Sequence, residues 1–380
     1  GHARPRPEAL QPQLGADQGR EAPRAPEQPP ARGGQGEQGD GPRPEDGRRH
    51  AYLRGGLRWR DVALTRWRTD GWEEAGGTWV YLRDEAAGAA WSVGDRPVPA
   101  ASGTASARFG PHVVEWQRRE RGILACVDVA VAPWDDIEVR RITLVNEGEH
   151  ARSIRVTTAT EVLLAAVGEA RRHPAFSRLF VESELLPALG GVHVRRRARA
   201  PDDEPVHLVQ CLVGGGAAAA PRSFETDRGH FLGRHGTDRA PAAVGVGALT
   251  GRAGATLDPI VAISTLVRLA PGARVTLTLL TSVAGSRDRA IELVEAHRGA
   301  GAAEAVFEQA RRERERALRD LGMAPTDVRV AHDLLSACLT PGHGVRADAG
   351  PFDDAPRPRS GLWGHRISGD LPIVLLRLAP

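Results

Sequence analysis

Two arginine–tryptophan runs carry residue types and spacing that could do chemistry: Arg58-Trp59-Arg60-Asp61 and Arg66-Trp67-Arg68. Guanidinium forks match the oxygens of phosphate and carboxylate. An indole face packs well on the C–H face of a pyranose, so the pattern suits an anion or a sugar. The plainer reading is an arginine–tryptophan stack bracing a strand edge. Tryptophan is unusually prominent, with eight residues against two Tyr and seven Phe. Trp79, Trp91 and Trp116 are read as core, because large aromatics dominate cores. Trp59, Trp67 and Trp363 sit among arginines and other polar groups and fit either role. His173-Pro174-Ala175-Phe176 reads as a turn with a buried aromatic rather than a catalytic histidine.

No complete catalytic signature accompanies these residues. There is no GxSxG elbow, Walker loop, HExxH or strand-borne GxGxxG. A glycosidase carboxylate pair is defined by its separation in space, so no catalytic residue is assigned. Cys126, Cys211 and Cys338 are far apart and form no Cys/His ligand spacing, so no metal site and no cofactor are expected. Cys126 and Cys338 read as small buried hydrophobes, and so sparse a set suits a reducing cytoplasm. No apolar run reaches the ~18 residues of a membrane-spanning helix, and no secretory signal is visible. Every basic residue other than histidine is arginine, yet the formal net charge is only +3 because acidic residues are interspersed. Nucleic-acid binders cluster their positive charge, so no nucleic-acid partner is expected.

The elements that must position the candidates are mostly strands. Residues 1–50 are rich in Pro, Gly, Arg, Gln and Glu and read as disordered, or as a non-native stretch of GC-rich coding sequence. From residue 51 short apolar runs recur between Gly, Pro and Asp clusters. The cleanest is Ile154 to Leu164, where Ile154, Val156, Thr158, Thr160, Val162 and Leu164 share one face. Between Ile137 and Val145 the alternation changes parity, which suggests a β-bulge near Arg140–Arg141. Many short strands without a βαβ rhythm argue for an antiparallel sandwich. Near Ser286 the period becomes helical: one helix carries Ala290, Ile291 and Val294, and a second runs from Ala302 to Leu321. A third follows Pro325 and is expected to bury the stripe Ala331, Leu334, Leu335 and Cys338. Gly361 to Leu378 reads as the opening of a further domain.

Four stretches resemble one family: Arg58 to Arg68 with Thr78 to Asp84; His173 to Glu184; Ser223 to Arg234 with Leu257 to Ile260; and Gly361 to Arg377. Together they resemble the phosphorylase-like C-terminal region of cyclic β-1,2-glucan synthases, in the cellobiose phosphorylase family (glycoside hydrolase family 94, formerly glycosyltransferase family 36). The resemblance implies a mainly β chain: an antiparallel β-super-sandwich over 51–284, a helical linker over 285–340, and over 341–380 the first segment of a truncated (α/α)6 barrel. It further implies a β-glucan or oligosaccharide as ligand and inorganic phosphate as co-substrate, in inverting transfer driven by a barrel aspartate that this chain lacks. The implied partners are the missing (α/α)6 domain and a second copy in a homodimer. A cytoplasmic location is expected, and the resemblance leaves room for membrane attachment of the parent synthase through regions absent here. By the resemblance, Arg66, Trp67, Trp363 and Asp370 are the substrate-binding candidates. The chain departs from the family before Arg58, and Arg366 stands where relatives usually carry Gly. The expected function is a non-catalytic sandwich-and-linker fragment of a β-glucan phosphorylase or cyclic glucan synthase. A stand-alone glucan-binding module and a gene remnant without activity are the alternatives.

Overall fold

The computed structural model describes residues 11–13, 56–66, 77–94, 96–99, 103–166, 172–199, 203–246, 249–339 and 359–369. The chain divides into two compact units: Gly1–Leu14 with His50–Gly322, and Gly15–Arg49 with Met323–Pro380.

The first unit holds the strands β1 (Gln11–Gln13), β2 (Gly56–Trp59), β3 (Val62–Thr65), β4 (Thr78–Asp84), β5 (Ala90–Ser92), β6 (Thr104–Phe109), β7 (Val114–Glu120), β8 (Ile123–Val131) and β9 (Ile137–Asn146). After these come β10 (Arg152–Ala166), β11 (Val181–Leu186), β12 (Gly191–Arg196), β13 (His207–Gly214), β14 (Ser223–Asp227), β15 (Gly254–Ala255), β16 (Pro259–Leu269) and β17 (Arg274–Ala284). Its helices are α1 (Pro174–Arg178), α2 (Arg228–Leu232), α3 (Ala242–Val246), α4 (Arg287–His297) and α5 (Ala302–Asp320).

Among the described residues the strands form two antiparallel sheets. One has nine strands in the order β15-β11-β12-β13-β17-β9-β8-β7-β6. The other has eight, running β1-β2-β3-β10-β16-β14, with β4 and β5 attached beside β10. The composition of 1–50 carries no strand signal, yet Gln11–Gln13 pairs with Gly56–Arg58 at that sheet's edge; the rest of 1–50 lies outside the described residues.

The sheets face each other across one apolar core. Ile154, Val156, Val162 and Leu164 of β10 meet Ile142 and Leu144 of β9 and Leu277 and Leu279 of β17 there, as the period of two requires. The opposite faces are covered as well. Ile137, Val139, Val209, Cys211 and Leu280 pack under Ala290 and Val294 of α4 and Ala303, Val306 and Ala310 of α5. On the eight-stranded sheet, Trp79, Tyr81, Ala159, Ile260 and Ala262 lie under Phe231 of α2 and Ala243 and Val244 of α3.

This double burial corrects the bulge expected near Arg140–Arg141. Strand β9 pairs with β17 and β8 in unbroken register. Its apolar residues change parity because Ile137 and Val139 face the helices while Ile142 and Leu144 face the other sheet. The irregularity is instead in β10, whose register against β3 shifts between Val162 and Ala165. There Leu164 adopts φ 49°, in the left-handed region that residues other than glycine enter uncommonly.

In the second unit α6 (Pro325–Leu339) forms as expected. The predicted buried stripe does not: Ala331 is exposed and Leu334 is 42% exposed, because no described residue of that unit covers them. The side chains of Leu335 and Cys338 lie outside the described residues. A 3-10 helix, Arg359–His365, follows.

Candidate functional site

The bulge in β10 sits beside the most concentrated set of ionisable groups described in the first unit. Glu161 projects from β10 on the face covered by α2, since it shares parity with Ala159. It is only 2% exposed. Arg66, directly after β3, donates its backbone N–H to the Glu161 carbonyl at 2.9 Å. Its guanidinium then lies 3.3 Å from Glu161 Oε2 and 2.5 Å from Asp258 Oδ1. Arg178, the last residue of α1, reaches the same Asp258 oxygen at 2.8 Å. Arg228 opens α2 and pairs with Glu161, with Asp238 at 2.8 Å and with Asp258 at 3.6 Å.

Local structure fixes each group. Asp227 caps α2 by accepting from the backbone N–H groups of Gly229 and His230 at 2.7 and 3.2 Å. The Arg228 backbone N–H is held by the Asp258 carbonyl at 2.9 Å. The buried Tyr81 donates its hydroxyl to the Asp238 carbonyl at 3.0 Å and packs against Phe231 with ring centres 6.0 Å apart.

Three guanidiniums thus meet three carboxylates, and the balance shapes the chemistry. Burial pushes the Glu161 carboxyl up, against the pull of Arg66 and Arg228. At Asp258 burial works in the same direction, but Arg66 and Arg178 outweigh it and hold the acid below its ordinary range. Burial likewise opposes the charge on Arg228, and Glu161, Asp238 and Asp258 more than offset it. With no excess positive charge, the cluster is a poor anion trap. Nor is it a good proton donor to a sugar: a general acid needs its acceptor within hydrogen-bond reach, and the Glu161 side chain, 3% exposed, leaves no room for a pyranose. What the arrangement does well is clasp β3, β10, α1, α2 and the turn before β16 to one another.

Arg66 is therefore placed inside this clasp. Trp67 and Asp370 lie outside the described residues. Trp363 belongs to the second unit, where it is 61% exposed and donates its indole N–H to the Ser368 carbonyl at 3.3 Å. Trp79, Trp91 and Trp116 are core, as expected. Trp59 joins them at 4% exposure, with the Arg60 guanidinium 4.3 Å over its ring. His173 precedes α1 and its carbonyl accepts from Ser177. Phe176, however, is 47% exposed rather than buried. It stands edge-on to Phe180 with Arg199 over the ring, a surface stack that needs no core. Cys126 is half-buried, and burial in the helix-covered core pushes the Cys211 thiol up to about 12.

Sequence reading by residue type missed Glu161, Arg178, Arg228, Asp238 and Asp258 as partners of Arg66. A signal was present nonetheless. Arg66, Arg178, Arg228 and Asp258 come from three separate stretches that carry the family resemblance, and the fold brings them together. Among the described residues no group of side chains could hold a metal ion, and no helix is long and apolar enough to cross a membrane.

Comparison with known proteins agrees with this architecture. Residues 54–300 match the family model for the glycosyl hydrolase 94 supersandwich domain. The chain is 30% identical to the cyclic β-(1,2)-glucan synthase NdvB of Rhizobium meliloti (strain 1021), over 85% of this chain and 12% of that protein. It is 27% identical to the solabiose phosphorylase of Paenibacillus borealis, over 57% of this chain and 27% of the relative. Thus it spans only about an eighth to a quarter of the length of these curated relatives. Among solved structures, a bacterial glucoamylase complexed with acarbose aligns with a TM-score of 0.41 at 8% identity, over 70% of this chain and 33% of the other.

Proposed function

Since the chain belongs to the glycosyl hydrolase 94 supersandwich family, we propose that it is the non-catalytic sandwich-and-linker part of a β-glucan phosphorylase or cyclic β-1,2-glucan synthase. On this reading its partner is an (α/α)6 catalytic domain, inorganic phosphate is the co-substrate, and the protein works in the cytoplasm. No cofactor is needed. The sandwich supplies a rigid platform, and the arginine–carboxylate clasp holds the loops at one sheet end in fixed positions.

One observation carries the proposal: the carboxylates gathered at the candidate site are engaged by guanidiniums, and the most enclosed of them, Glu161, is 2% exposed. Inverting phosphorolysis needs a carboxylic acid facing an open sugar site, with cations left free to hold phosphate. A charge-balanced cluster offers neither. The test is an assay of the chain alone with β-glucans and inorganic phosphate. The expected result is no release of glucose 1-phosphate; release that stops when phosphate is omitted overturns the proposal.

A further inference from the structure

One large aromatic of the first unit has no place in that platform. Trp134 is 49% exposed, whereas Trp59, Trp79, Trp91 and Trp116 are 4% exposed or less. It stands in the turn between β8 and β9, and that turn is anchored on both sides. Ala132 donates to the Ile137 carbonyl at 3.0 Å, and Ile137 to the Asp135 carbonyl at 2.8 Å. Asp135 lies 3.4 Å from His297 Nε2 and 3.9 Å from Arg289, both on α4. The Asp136 carboxylate accepts a hydrogen bond from Trp59, and its carbonyl accepts from Val283 at 3.0 Å. The indole is thus carried on a fixed mount while its own ring stays in solvent.

Facing it is the outer side of α5. The first half of that helix is locked into the core by Ala303, Val306 and Ala310, and the groove runs along its second half. Trp134, Arg312, Glu313, Glu315, Arg316 and Arg319 line a groove of about 400 Å³. This is near the low end for small-ligand sites, which run to several hundred Å³. Its chemistry is one apolar ring face beside planar groups of both signs. A polyanion would meet Glu313 and Glu315; an apolar peptide would meet five charged side chains. A neutral polyol stacks its C–H groups on the indole and adds hydroxyl hydrogen bonds to guanidinium and carboxylate groups that are already paired along the helix, Arg312 with Glu308 and Glu315 with Arg311. Anchoring of the Trp134 turn lowers the ordering entropy that weak sugar binding must overcome.

We propose that the groove between Trp134 and α5 is a binding subsite for a β-glucan strand, separate from the arginine–carboxylate clasp. The ligand class rests on the proposed function above. The site gives the sandwich a hold on polymer without chemistry.

The test uses the full chain and calorimetric titration with linear β-1,2-gluco-oligosaccharides, with inorganic phosphate as a second probe. The expected result is saturable binding of oligosaccharide. Trp134→Ala should weaken it by about 30-fold, the factor typical of removing a tryptophan anchor. Arg316→Ala should weaken it several-fold, and both variants should melt at the wild-type temperature. Wild-type chain that binds no oligosaccharide at about 10 mM, or a Trp134→Ala variant that binds as well as wild type, overturns the subsite. So does phosphate binding that Arg316→Ala abolishes and excess sugar does not displace. None of these outcomes bears on the glucose 1-phosphate assay, so failure of the subsite and failure of the non-catalytic reading are separately visible.

Discussion

Replacing Arg228 by methionine tests whether the arginine–carboxylate cluster holds the sandwich together or merely decorates it. The substitution keeps the length of the stem and removes the guanidinium that touches Glu161, Asp238 and Asp258. Asp258 keeps Arg66 and Arg178. Glu161 keeps Arg66 alone, at 3.3 Å, while remaining 3% exposed. Breaking a buried ion pair by deleting one partner costs about 3–5 kcal/mol. The low end applies, because the Arg228 and Asp238 side chains are 20% and 23% exposed and water screens part of the loss. A loss of about 3 kcal/mol should lower the urea midpoint by about 1 M for a slope near 3 kcal/mol/M. Equilibrium unfolding at pH 7, followed by emission of the buried tryptophans, reads this directly. Adding Glu161→Gln to the variant should restore part of the stability, since it removes the charge left short of a partner. A midpoint lowered by less than about 0.3 M, or a double variant less stable than Arg228→Met alone, refutes the argument that these charges depend on one another.

Two further outcomes follow from the same structure. Burial together with its neighbour His207 pulls the His193 imidazole down to about 4, and burial lowers His207 as well. Unfolded histidine takes up its proton near pH 6.5, so the contribution of the pair is complete above that pH and is lost as pH falls from 6.5 toward 4. The melting temperature should therefore decline across that window, and His193→Gln should flatten the decline; an unchanged profile in the variant refutes the assignment. In β9, Ile142→Ala opens a cavity between the sheets and Ile137→Ala one beneath the helices, both residues being fully buried. Each should cost about 2–5 kcal/mol in urea unfolding, and a loss under about 1 kcal/mol for Ile137→Ala would mean that α4 and α5 do not seal that face.

How much of this was legible in the sequence depended on how sharply the two faces of a strand differ in polarity. β10 announced itself because its core face is largely apolar while its other face, also buried, carries Thr157 and Glu161. β8 was legible with its observed bounds, Ile123–Val131. β9 is apolar toward both the opposite sheet and the helices, so its pattern imitates a bulge. The true irregularity, at Leu164, left no trace, because leucine gives no warning of a positive φ. Strands β1, β2, β3, β5, β6, β14 and β15 show no period of two in the sequence, for another reason. They run from two to six residues, too short for a period of two to declare itself, and β6 is largely exposed. The helices α4 and α5 read clearly from their period, and Gly322 at φ 66° is the left-handed stop that follows α5.

The candidate site illustrates a different limit. Arg66 entered as a substrate-binding candidate through the family resemblance, in an arginine–tryptophan pattern that suits an anion or a sugar. Its partners decide otherwise, and they could not be read by proximity. Asp258 lies 192 residues away in sequence, and Arg178 is 80 residues from that same aspartate. A lone arginine beside a tryptophan suggests a ligand; the same arginine between Glu161 and Asp258 is already satisfied. The reverse holds for Trp134, whose sequence neighbours Pro133, Asp135 and Asp136 look like an ordinary turn. Only the fold shows those neighbours anchored to α4, to Trp59 and to β17 while the indole stays in water. A charged group gains function by lacking a partner inside the protein, and an aromatic ring gains it by being held still while uncovered. Arg312 and Glu315 of the groove are themselves paired along α5, so it is by the second criterion, an indole held in place and 49% exposed, that the groove is the binding site we propose.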